Sequence, residues 1–234
     1  MNADTLVDEV IRSDAFKGFG PLLFPVSLGE KERHLTLAQI APLFPRHCCI
    51  DTEETLLALN FLMKLHKHEI RTFYDIYQPK EKRKNTAKAK TGLFYFRGIL
   101  GAPFAIIVPG CGEYVATLHE GLPCAIELLR PGFNAFVLHY RPGKLEYICE
   151  DLARAISFVF AHAEELGVAR EGYSLWGSSD GAAEIAVPLL NPDGSVIAVL
   201  AIGGSKKDVE PKFAKFLPML QKAASVLLER LNTL

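Results

Sequence analysis

The chain has 234 residues, of which 49% are hydrophobic and 23% charged, enough for one large domain or two small ones around a real core. A formal net charge of -1 excludes the broad electrostatic pull on which nucleic-acid and acidic-membrane binders rely. The five cysteines show no C-x-x-C spacing, which argues for reduced thiols in a cytoplasmic protein and against a disulfide frame or a metal centre.

Residues 1–90 read as a helical region ending in a first strand and a basic linker. Asp4, Asp8 and Glu9 come early and no long apolar run follows, so neither a secretory leader nor a membrane span is expected. Leu6, Val7, Val10 and Ile11 fall at helical spacing. Residues 18–29, with Pro21 and Pro25, form a breaker-rich connector. Leu37, Ile40 and Ala41 predict a short helix that stops before Pro45. Asp51 and Glu54 look like a capping pair. They start a helix with Leu56, Leu59, Phe61, Leu62 and Leu65 on its apolar side. His66 and His68 are two apart, do not share a helical face, and read as solvated. Residues 70–77 are rich in aromatic and β-branched side chains and predict a strand. The lysine-rich run 80–90 has no interleaved aromatics, so it reads as a solvated loop and no nucleic-acid partner is expected.

From Gly92 the rhythm changes. Strands are predicted at 93–96, 104–108 and 135–138, and a further strand runs through Tyr173, Leu175 and Trp176. Helices are predicted at 118–129 and 147–166. The second carries a stripe of Ile148, Leu152, Ala155, Ile156, Val159 and Phe160 and closes at Gly167. This alternation predicts right-handed crossovers and a mostly parallel sheet buried on both faces. Ligands of such sheets bind at the carboxyl ends of the strands, and two loops fall there.

One loop is Pro109-Gly110-Cys111-Gly112-Glu113. The other is Gly177-Ser178-Ser179-Asp180-Gly181, which fits G-x-S-x-G with Ser179 at the centre. A nucleophile at a strand-to-helix turn sits in a cramped backbone, and flanking glycines remove the side chains that would clash. Acyl transfer also needs N–H donors for the developing oxyanion. Cys111 or Gly112, together with Asp180, are the candidate donors.

The stretches FAIIVPGCGEY, GFNAFVLHYRPG, EDLARAISFVFAHAEELGV and YSLWGSSDG together resemble the α/β-hydrolase superfamily, in particular its esterase/lipase-like members, over about residues 91–181. The resemblance implies a three-layer α/β-hydrolase-like fold and Ser179 as nucleophile. It implies an oxyanion loop at 110–112 and a small-molecule ester or acyl substrate, with no cofactor. In that fold the acid and the histidine base follow the serine. No histidine follows Ser179 here, and the sheet reads as truncated at its C-terminal side. A serine hydroxyl without imidazole is a poor nucleophile at neutral pH. His139, at the end of its strand, is the candidate base, with His119 the other histidine near the loops.

The last residues point elsewhere. Segments 184–190 and 195–202 flank Asn191-Pro192-Asp193-Gly194, which predicts a β-hairpin. An amphipathic helix with Phe213, Phe216, Leu217, Leu220, Leu227, Leu228 and Leu231 follows. Residues 183–234 are similar to the end of GAF domains. Two arrangements are open after Ser179. One is a helix over 181–187 with 196–202 as the next parallel strand; the other is a hairpin that leaves the serine turn without its helix. In either case residues 91–234 are expected to form one unit, whose unpaired sheet edge invites self-association. The alternative to a serine hydrolase is therefore a catalytically incomplete, hydrolase-like binding or interaction module.

Overall fold

The computed structural model describes residues 1–24, 28–43, 51–110, 121–142, 144–171, 173–177, 182–190, 196–205 and 222. In chain order the helices are α1 (Val7–Arg12), α2 (Leu37–Ile40), α3 (Thr52–Lys67), α4 (Pro79–Lys84), α5 (Leu122–Leu129), α6 (Leu145–Ala161) and α7 (Ala163–Leu166). The strands are β1 (Phe73–Tyr74), β2 (Gly92–Phe96), β3 (Phe104–Val108), β4 (Asn134–His139), β5 (Ser174–Gly177), β6 (Ala182–Leu190) and β7 (Val196–Ser205). This is a mixed α/β protein.

The first five strands form one open sheet in the order β1-β2-β4-β3-β5. β3 runs parallel to β4 and to β5, which gives the expected parallel core. β2 departs from it and lies antiparallel to β4, with Gly92 opposite His139 and Phe96 opposite Ala135. The reason is the short link 97–103 between β2 and β3. A crossover that restores strand direction takes a dozen or more residues, so the chain simply reverses.

Side chains alternate across the sheet and divide the core in two. Phe94, Phe96, Ala105, Ile107, Ala135 and Val137 point to one face. There they meet Leu59 and Leu62 of α3, Leu122 and Ala125 of α5, and Val7 and Val10 of α1. Leu93, Tyr95, Phe104, Ile106, Phe136 and Leu138 point to the other face, against Ala155 and Val159 of α6 and Ala163 and Leu166 of α7. Both faces therefore carry helices. The N-terminal helices belong to the same packed cluster as one face of the sheet.

Local chemistry sets the helix ends. The Asp51 carboxylate accepts the Glu53 and Glu54 amides at 2.7 and 3.2 Å, so the expected cap starts α3. Pro123 sits in the first turn of α5, where its missing N–H is harmless. The strand expected over 70–77 shortens to the two residues of β1. The run 80–90 is not a loop: α4 and the 3-10 turn Thr86–Lys90 occupy it. Pro79 opens α4, and the Glu81 carboxylate accepts the Gln78 amide at 2.9 Å. The single helix expected over 147–166 is broken at His162, which leaves helical geometry. Its Nδ1 lies 2.9 Å from the Phe158 carbonyl oxygen, an oxygen that the His162 amide also uses.

β6 and β7 pair antiparallel as a separate two-stranded sheet, with Val187 opposite Leu200 and Pro188 opposite Val199. Of the two open arrangements the antiparallel pairing is the one adopted, and the helix over 181–187 with 196–202 as a parallel strand is not. Pro188 breaks a helix interior, and the β-branched run of β7 supplies a pairing partner for the preceding segment. The expected terminal helix lies outside the described residues, except for Lys222, which is helical.

Candidate active site

The geometry brings the stems of the two candidate loops together. Val108 at the end of β3 is the register partner of Gly177 at the end of β5. The two chains therefore leave neighbouring parallel strands at the same level, about 4.8 Å apart. Pro109 and Gly110 begin one loop and Gly177 begins the other. Cys111, Gly112, Ser179 and Asp180 themselves lie outside the described residues, as does His119.

The first loop has a tether that no sequence pattern announces. Tyr140, buried one residue beyond β4, donates its hydroxyl to the Pro109 carbonyl oxygen at 2.7 Å. This fixes the exit of β3 against the exit of β4. Gly121 sits where a Cβ would press on the Val137 side chain and crowd Pro109. A glycine is needed there for close approach, and it lets α5 begin against the same strand ends.

β5 is the edge of this sheet, and its side chains are the most open of the core strands. Leu175 is 37% and Trp176 47% exposed. The Trp176 indole N–H donates to Ser174 Oγ at 2.9 Å.

His139 ends β4, one strand from the glycine loop and two from the serine stem. It is fully buried. It lines a cavity of about 230 Å³ between the strand end and the N-terminal segments, together with Phe24, Arg33 and Lys90. Burial lowers its pKa from 6.5 to about 4, so the imidazole is neutral at physiological pH. A neutral ring can accept a proton, but a base this weak is poorly matched to work near pH 7.

The buried imidazole has a consequence for stability. Above pH 6.5 both the folded and the unfolded chain keep His139 neutral, and its contribution is fully present. As the pH falls from 6.5 toward about 4, only the unfolded chain takes up the proton, and about 3 kcal/mol of stability is lost. Urea titrations across this range are expected to show the decline, and His139→Gln is expected to flatten it. Parallel curves for the two proteins would show that other groups control the acid limb.

Beside the site, Tyr77, Arg141, Glu150, Asp151 and Lys88 form a charged network that sequence reasoning missed. The Tyr77 hydroxyl donates to Asp151 Oδ1 at 2.6 Å, and the Arg141 guanidinium reaches the same oxygen at 2.7 Å. Burial and the hydrogen bond to Asp151 push the Tyr77 hydroxyl well above its ordinary range. Hydrogen bonds from Lys88 and then Arg141 hold the Glu150 carboxyl below its usual value. A signal was available. Asp151 falls three residues after Ile148 and four before Ala155, on the apolar stripe of α6, where a charge demands a partner.

Among the described residues no helix is long and apolar enough to cross a membrane, and no group of three or more His, Cys, Asp or Glu side chains is placed to hold a metal ion. No family model, no curated protein and no solved structure matches this chain.

Proposed function

We propose that the chain is a serine hydrolase of the esterase/lipase-like kind, acting on a small ester or related acyl bond within a three-layer α/β-hydrolase-like arrangement. The observation that carries this reading is the pairing of Val108 with Gly177. It sets the strand ends that lead into the two candidate loops side by side, as the meeting of a nucleophile with oxyanion donors requires. In the proposed reaction Ser179 Oγ attacks the acyl carbonyl. The amides of Asp180 and of Cys111 or Gly112 hold the oxyanion. A base takes the serine proton and returns it to the departing alcohol, and water then releases the acid. His139 is the candidate for that base, and its weak basicity predicts slow turnover.

A second reading has its own observation. β6 begins at Ala182, where a hydrolase nucleophile turn runs on into a helix. This favours a hydrolase-like binding module without turnover, one that associates through the β5 edge and resembles the end of a GAF domain in its last part. We place the protein among cytoplasmic proteins without nucleic-acid or membrane partners.

A fluorophosphonate probe separates the two. It is expected to label the wild type and to lose essentially all labelling in Ser179→Ala. Folded wild-type protein that takes up no probe, with a mass that rises with concentration, would sink the hydrolase reading and leave the binding module.

A further inference from the structure

The cavity beside His139 carries more chemistry than a hydrolase base requires. It lies between the N-terminal turns and the end of β4. Leu22, Phe24 and Leu28 supply an apolar wall, and Arg33, Lys90 and His139 supply the polar side. Among the described residues that line it, none is acidic. Neither Arg33 nor Lys90 takes part in any ion pair among the described residues. Arg33 Nε is enclosed without a hydrogen-bond partner. A buried donor without a partner is rare and costly in native proteins. Arg33 and Lys90 give the lining of this cavity a positive charge that an anion complements.

We propose that this cavity binds a short-chain aliphatic monocarboxylate, with its carboxylate on Arg33 and Lys90 and its tail against Leu22, Phe24 and Leu28. The guanidinium fork suits a carboxylate, since it can present two parallel N–H donors. The size sets the tail. At about 30 Å³ per small heavy group, a cavity of about 230 Å³ holds roughly eight non-hydrogen atoms, a carboxylate of about six carbons. The apolar wall excludes a bare phosphate or acetate as the best ligand, because neither covers it. This site does not depend on Ser179.

The test is calorimetric titration of the full chain with hexanoate, acetate and hexan-1-ol. Hexanoate is expected to bind tightest, with affinity rising about fourfold per methylene from acetate upward as each CH₂ is buried. Raised salt is expected to weaken it. Arg33→Gln is expected to weaken hexanoate at least tenfold, and Lys90→Gln about two- to fivefold because its ammonium is exposed, each leaving hexan-1-ol unchanged. Lys90 is exposed at the protein surface, so its variant folds even if Arg33→Gln does not. Ser179→Ala is expected to bind hexanoate as the wild type does, which separates this site from the hydrolase reading. Equal binding of hexan-1-ol and hexanoate, unchanged affinity in Lys90→Gln, or no hexanoate binding at millimolar concentration would each overturn the proposal.

Discussion

Asp151→Ala is expected to destabilise the fold by about 3–5 kcal/mol, the range for removing one partner of a buried ion pair. It should lower the urea midpoint without changing the slope. Asp151 is fully buried, and each of its oxygens is engaged. Oδ2 accepts the Arg141 amide at 2.8 Å, and Nε of the same residue lies 3.1 Å from both oxygens. Tyr77 and the guanidinium terminus complete Oδ1. Removing the carboxylate strands a guanidinium whose side chain is 4% exposed. Its remaining acid, Glu150, contacts it at 2.6 Å but is 46% exposed and is screened by water. The face of Tyr147, 4.8 Å from the guanidinium carbon, adds only a modest attraction.

Asp151→Asn is not a gentle control. It keeps one acceptor but turns the other oxygen into a donor facing the Arg141 amide. The informative control removes both charges. Asp151→Leu combined with Arg141→Leu is expected to recover most of the loss, because the desolvation of two ions disappears with their attraction. If Asp151→Ala loses less than about 1 kcal/mol, the network behaves as a solvated surface pair and the enclosed geometry is not what holds it. Arg141 follows His139 by two residues, so the network also fixes the strand end on which His139 and the Tyr140 tether sit.

Much of this fold is legible in the sequence where a single rule dominates. The apolar runs of β3 and β4 admit only buried strands, because both faces of those strands are covered by helices. Asp51 announces the start of α3 because a cap is a local interaction. The candidate loops are legible as punctuation, and the structure adds what spacing lacks: Val108 and Gly177 are register partners. Other features rest on long-range contacts. The reversal of β2 follows from which strand it joins, and β4 inserts between β2 and β3 only after the chain has passed through α5. The lysine-rich run gains a helix because Pro79 and Glu81 act at its start, while Arg154 of α6 donates to the Ile76 carbonyl oxygen at 2.7 Å just upstream. The cavity at His139 joins the α1 region, two N-terminal turns and the end of β4, residues far apart in the chain. No window of sequence holds them together.

Asn134→Asp is expected to cost about 3–5 kcal/mol at neutral pH, through the same penalty for an uncompensated buried charge. Asn134 opens β4 at the end of the sheet opposite the candidate site and is fully buried. Its Nδ2 donates to the Ile99 and Ala102 carbonyl oxygens at 2.9 and 3.1 Å, and its Oδ1 accepts the Gly98 amide at 2.9 Å. The Tyr95 hydroxyl, which donates to the Leu166 carbonyl oxygen at 2.8 Å, lies 3.2 Å from the same Oδ1. Burial pushes that hydroxyl up to about 12, so it stays a donor. An ionised carboxylate has no donor for the two carbonyls and sets a negative oxygen against them. The new carboxyl therefore titrates above its unfolded value. The deficit is fully present above its folded pKa and shrinks as the pH falls toward the unfolded value near 4, because protonation restores one donor. Asn134→Leu loses both donors and the acceptor at every pH. Its deficit relative to the wild type is expected to stay constant across the same range. Urea midpoints of the three proteins from pH 7 to 4.5 read this difference, and an Asn134→Asp deficit that fails to narrow on acidification would mean that water, not the sheet end, solvates the side chain.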